Sequence, residues 1–148
     1  MTKELTGNEI KSTLNDKHHN LINSIENDHV VLKNDKEKLL SFFEDLKNEK
    51  KFNLLSSVTS VDYLSKFVVV YHFTSIEKNE SLVIKIPCGE SRTEPSVISV
   101  TGIWRGAELQ EREIYDLMGI YFDNHPNMKR LLLWENFDGH PLRKDFVN

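Results

Sequence analysis

The side chains with chemical potential are concentrated in the last third of the chain. Glu108, Arg112 and Asp116 recur at every fourth position, and Glu111 and Glu113 flank the arginine. On a helix this spacing lines up an acid–base–acid row along one side. The bland reading of the same row is a solvated face carrying exposed ion pairs, each worth about 0–1 kcal/mol. His125-Pro126, Arg130, His140-Pro141, Arg143, Lys144 and Asp145 follow within a short stretch. Each proline restricts the histidine before it to extended conformations and so fixes the local path. His125, His140, Asp123 and Asp145 are ligand types for a divalent metal, and a small metal-dependent enzyme using His125 and His140 is the chemistry they would serve. No close-spaced pair such as His-x-x-x-His accompanies them. Nucleophilic catalysis has less support. There is no Gly-x-Ser-x-Gly, and Cys88 has no neighbouring base.

The elements that must position these residues follow from periodicity. Residues 35–50 read as an amphipathic helix capped by Asn34 or Asp35, with Leu39, Leu40, Phe42, Phe43 and Leu46 toward a core. Strand character follows at 54–62, 66–76 and 81–87, the last two separated by the polar break Glu77-Lys78-Asn79-Glu80. Leu82, Ile84 and Ile86 alternate with Ser81, Val83 and Lys85, which predicts one buried face and an antiparallel meander. A loop is expected over 88–95 and a short strand over 97–100. A helix is expected over 105–118, stopped by Gly119. Asn127 to Trp134 reads as a short helical or extended piece between turns. Residues 1–33 are polar and predict a frayed arm with a short helix or strand, in which His18 and His19 form a solvated pair. The fold class is therefore α+β: a small antiparallel or mixed sheet packed with two or three helices, and an extended carboxy-terminal segment. The arm occupies 1–33 and the domain proper 34–148.

Composition excludes several roles. The 148 residues suit one domain. A net charge of −4 argues against a dedicated nucleic-acid binder, and the acids Asp123, Glu135, Asp138 and Asp145 offset the carboxy-terminal bases. One cysteine cannot make an internal disulfide or hold an iron–sulfur cluster, and Cys88 reads as a small apolar residue. No signal peptide is expected. The longest apolar run, Phe67 to Tyr71, is far short of the ~20 residues of a membrane helix.

Two runs carry a resemblance. Glu111-Arg112-Glu113-Ile-Tyr115-Asp116-Leu-Met-Gly119-Ile, with His125-Pro126 after it, closely resembles the signature of the complex I 30-kDa subunit family. Arg130-Leu-Leu-Leu and Gly139-His140-Pro141-Leu142-Arg143-Lys144-Asp145-Phe146 match its second half. The resemblance implies a non-catalytic scaffold on the cytoplasmic face of a membrane oxidoreductase. Its partners would be a hydrogenase-like large subunit (49-kDa type) and an iron–sulfur small subunit, with the membrane reached only through other subunits. It implies no cofactor on this chain; iron–sulfur clusters, and in one branch a nickel–iron centre, would lie in the partners. The signature residues are expected at the interface, with Arg112 organising its helix and 139–146 acting as a docking element. Arg130-Leu-Leu-Leu-Trp-Glu-Asn and the stop soon after Phe146 tilt the reading toward the membrane-bound [NiFe] hydrogenase branch. The quinone-linked branch is the alternative.

Overall fold

The computed structural model describes residues 1–89 and 92–147. The sequence-predicted meander forms β4 (Leu54–Asp62), β5 (Phe67–Ser75) and β6 (Glu80–Cys88), paired antiparallel in order. Its turns are set by short polar side chains. Asp62 Oδ1 accepts the Leu64 N–H at 2.8 Å, and Ser75 Oγ accepts the Lys78 N–H at 3.2 Å. Phe67, Val69, Tyr71 and Phe73 of β5 and Leu82, Ile84 and Ile86 of β6 alternate onto one buried face, as their spacing predicts.

α2 (Lys36–Asn48) covers that face. Asp35 caps it by accepting the Lys38 N–H, and Leu39, Phe42, Phe43 and Leu46 are buried. Phe43 is the hub: its ring lies 5.3 Å from Tyr71 and 5.9 Å from both Phe73 and Trp104, centroid to centroid. Fully burying one such ring contributes about 1.5–3 kcal/mol.

The first 33 residues differ from the frayed arm expected. They hold β1 (Lys3–Glu4), α1 (Gly7–Thr13), a 3-10 turn (Asp16–Leu21), β2 (Ile22–Ile25) and β3 (Val30–Leu32). β3 lies inside the sheet, whose order is β2-β3-β6-β5-β4, and pairs parallel with β6, so the sheet is mixed. Ile10, Val30 and Leu32 are fully buried. The apolar residues are few, but Leu5, Ile10, Leu14, Leu21, Val30 and Leu32 all enter the shared core. His18 is not solvated either: its Nε2 lies 2.7 Å from Asp45 Oδ2, and its ring meets Phe42 edge-on.

The chain then leaves the sheet. β7 (Ser96–Ile98) is shorter than expected and pairs parallel with β8 (Tyr121–Asp123) in a separate two-stranded sheet. Of the loop predicted over 88–95, Cys88 instead ends β6 as a buried residue, its thiol pushed up to about 12 by burial, and residues 90 and 91 lie outside the described residues. α3 (Ala107–Met118) connects β7 to β8 and packs against β4. Gly119 ends it at φ 76°, the left-handed conformation that favours glycine. Residues 124–147 form no helix or strand. No helix among the described residues is long and apolar enough to cross a membrane.

Candidate functional site

α3 holds two fully buried carboxylates, and each organises a different loop. Glu111, expected at the flank of a charge row, points into the protein. It accepts bonds from Ser99 Oγ at 2.6 Å, the Val100 N–H at 2.9 Å and Thr101 Oγ1 at 3.0 Å. These bonds explain why the strand predicted over 97–100 stops at Ile98. Burial pushes the Glu111 carboxyl above its ordinary range, outweighing the three donors.

Asp116 is the second centre. Its Oδ2 accepts three consecutive backbone N–H groups, from Leu131, Leu132 and Leu133, at 3.2, 2.7 and 3.0 Å. Arg130 Nη1 binds its Oδ1 at 2.8 Å. Burial alone would raise this carboxyl, but Arg130 and the backbone donors prevail and hold it below the usual carboxylate range. The stretch read as a short helical or extended piece is neither. It wraps a carboxylate, because three aligned N–H groups make an anion-binding nest.

The acid–base–acid row is not formed. Arg112 bonds the carbonyls of Lys129 and Arg130, at 3.1 and 2.8 Å, rather than Glu108 or Asp116. The base that neutralises Asp116 is Arg130, fourteen positions along the chain. A buried carboxylate needs several donors at once, and a neighbour on the same helix supplies one. Glu113 is exposed, and the Tyr115 ring is 6.2 Å from that of His140.

The carboxy-terminal signature folds back on the end of α3. Arg130 Nη2 donates to the carbonyls of Phe137 and Gly139. Arg143 Nε donates to the Met118 carbonyl at 2.6 Å, a favourable place for a cation at a helix carboxy terminus. The Leu142 N–H reaches the Leu117 carbonyl at 2.9 Å. Lys144 gives its N–H to Asp62 Oδ2, and Asp145 pairs with Arg92. Phe146 stacks on Phe137, while Leu142 is 60% exposed. Pro126 is exposed and Pro141 half-buried, both in trans.

Sequence reasoning missed Asp62 and Arg92. Arg92 bonds both oxygens of Asp62, at 2.6 and 2.9 Å, and holds that carboxyl far below its usual range. The guanidiniums of Arg92 and Arg143 both lie over Phe67, at 4.6 and 4.8 Å. These partners come from distant parts of the chain and carry no local spacing signal.

Each of the two histidines is tied to a backbone carbonyl of α3. His125 Nε2 lies 3.0 Å from the Glu108 carbonyl, and Nδ1 accepts the Asn127 N–H at 2.9 Å. The proton therefore sits on Nε2, and both nitrogens are committed to backbone. His140 Nδ1 is bound to the Asp116 carbonyl at 3.0 Å. What converges here is a set of clamps that give an irregular segment one conformation.

A family model described as "Respiratory-chain NADH dehydrogenase, 30 Kd subunit" matches residues 32–148. The chain belongs to that family. A 30-kDa-family relative from Geotalea uraniireducens (strain Rf4), named as the C subunit of an NADH-quinone oxidoreductase, is 46% identical over 114 residues, covering 75% of this chain and 68% of that protein. Another of that name, from Moorella thermoacetica, is 41% identical over 112 residues, covering 74% of each. Among solved structures, a trypsin-resistant fragment of Nqo5 superimposes with a TM-score of 0.51 at 29% identity, covering 66% of this chain and 80% of the fragment. An archaeal membrane-bound sulfane sulfur reductase contains a chain of the same fold. It has a TM-score of 0.68 at 24% identity and covers 93% of this chain and 83% of its own.

Proposed function

We propose that this 30-kDa-family chain is a cofactor-free scaffold subunit of a complex-I-like membrane oxidoreductase. It docks on the hydrogenase-like large subunit beside an iron–sulfur small subunit, on the cytoplasmic face of the membrane. The observation that carries the reading is a contrast within residues 130–147. The backbone is clamped through Asp116, Arg130 and Arg143, yet Leu132, Trp134 and Leu142 are 65%, 67% and 60% exposed. Fixed apolar side chains facing outward favour a partner, because little ordering entropy remains to be lost on docking. Electrons would pass through clusters held by neighbouring subunits, and this chain would contribute position and binding energy. The signature residues from Glu111 to Phe146 then serve the interface mainly by shaping it.

The quinone-linked branch is favoured over the hydrogenase branch, since relatives at 41–46% identity bear the quinone-linked name. The run from Arg130 to Asn136 supports the hydrogenase branch less strongly.

Affinity purification of the tagged full chain from its native membrane tests the reading. The large subunit and an iron–sulfur subunit should co-purify, and the isolated chain should retain no stoichiometric iron, zinc or nickel. Leu132→Ala with Trp134→Ala should leave circular dichroism unchanged and lower recovery of the large subunit about thirtyfold or more, as expected for an interface hot spot. Full recovery by this variant would remove the proposed surface, and tightly held metal would remove the scaffold role.

A further inference from the structure

The strap formed by residues 139–147 is held to the end of α3 in part by a titratable ring. His140 is half-buried against the end of α3. Its Nδ1 lies 3.0 Å from the Asp116 carbonyl, so Nδ1 carries the hydrogen and donates it. The other edge of the ring is pressed on Gly119. A Cβ there would fall 2.6 Å from His140 Cδ2 and 2.9 Å from Nε2. Among the described residues, no acceptor lies within hydrogen-bonding distance of Nε2. A second proton would therefore add a charge and a donor that has no protein partner.

The charges around the ring make that proton costlier. Arg143 of the strap crosses the same glycine, its Nη2 lying 2.6 Å from the built Cβ. Arg130, from the loop after β8, donates through Nη1 to the same Asp116 carbonyl that His140 binds, and also holds the Phe137 and Gly139 carbonyls. From α3, Asp116 presents a carboxylate already bonded by Arg130 and three N–H groups, and Tyr115 presents its ring. Asp138 and Asp145 line the cavity of about 310 Å³ beside His140 and Arg143, and Asp145 is paired with Arg92. Asp116 and Asp145 are each already paired with an arginine, and among the residues lining that cavity Asp138 is the acid without an ion-pair partner.

We propose that His140 is a proton-operated latch, whose protonation releases the strap from the carboxy-terminal end of α3. Release breaks the bonds from the Leu142 N–H to the Leu117 carbonyl, from Arg143 to the Met118 carbonyl, and from the Lys144 N–H to Asp62. Burial holds the docked imidazole below its ordinary pKa. The neighbouring arginines add to this, and the bond to the Asp116 carbonyl opposes it. The undocked histidine titrates near ~6.5. Because the docked pKa is the lower one, the released state binds more protons. Docking is complete above the ordinary histidine range. It weakens as pH falls through that range toward the docked pKa, by about tenfold per pH unit in between. This latch does not depend on the proposed partner, so the isolated full chain can test it.

The measurement is NMR on that chain from pH 8 to 5. It combines titration of the assigned His140 ring with amide exchange of Leu142 and Lys144, corrected for intrinsic rates. His140 should titrate below a free histidine. Both strap amides should lose protection as pH falls below ~6.5, by up to about tenfold per pH unit until the docked pKa is reached, while the Ile84 amide in the sheet stays protected. His140→Gln keeps an N–H for the Asp116 carbonyl and accepts no proton, so its strap protection should be flat over the same range. A wild-type His140 titrating at or above the ordinary value overturns the latch, whether or not the variant folds. So does strap protection that ignores pH, or a variant that keeps the wild-type pH dependence.

Discussion

At the scale of single residues, Asp116 and Arg112 exchange the ranks that spacing assigns them. Asp116 gathers Arg130 and three backbone N–H groups in a fully buried position. Asp116→Ala would leave a guanidinium and three amides without their acceptor, and should cost about 3–5 kcal/mol. Arg112 is half-buried and bonds two carbonyls on a loop edge. Arg112→Ala should cost about 1–2 kcal/mol, since those carbonyls can turn to water. Urea denaturation of both variants compares them directly. A larger loss for Arg112→Ala would restore it as the organiser of the helix.

At the scale of elements, the amino-terminal residues are sheet and core. β3 separates β2 from β6, and Val30 and Leu32 are fully buried. Gly7 holds the entry: a Cβ there would sit 2.0 Å from the Glu26 carbonyl oxygen. Deleting residues 1–33 should therefore expose the β6 edge and the Phe42 side of α2, giving a chain without a cooperative thermal transition by circular dichroism. A truncated chain that melts cooperatively near the wild-type temperature would return these residues to the status of an arm.

At the scale of the full chain, the strap and the body are joined by polar contacts at the end of α3 and at Asp62, and no residue of 139–147 is among the buried core. Removing residues 139–148 should leave the sheet and its helices folded, with a measurable loss of stability and no incorporation into the large complex. Circular dichroism and a native-gel assembly assay read the two outcomes separately. An unfolded product would place the strap in the folding unit. A folded product that assembles normally would remove the strap from the interface and confine it to α3 and the 130–137 loop.

Local elements were legible in the residue order alone. The meander, α2 with its Asp35 cap, and the Gly119 stop could be read there because strand alternation, helical periodicity and capping act over a few residues. The two signature runs were likewise enough to point to the family. Which charges are buried, and with whom, emerged only in three dimensions. Glu111 met Ser99 and Thr101, Asp116 met Arg130 and the Leu131–Leu133 amides, and Asp62 met Arg92 and Lys144. The same holds for the internal place of β3, and for the pairing of β7 with β8 instead of with the main sheet. Spacing along one helix predicts only which side chains share a face. Whether a carboxylate on that face meets water or a ring of donors depends on chain segments that arrive from elsewhere, and their arrival is set by packing of the whole core.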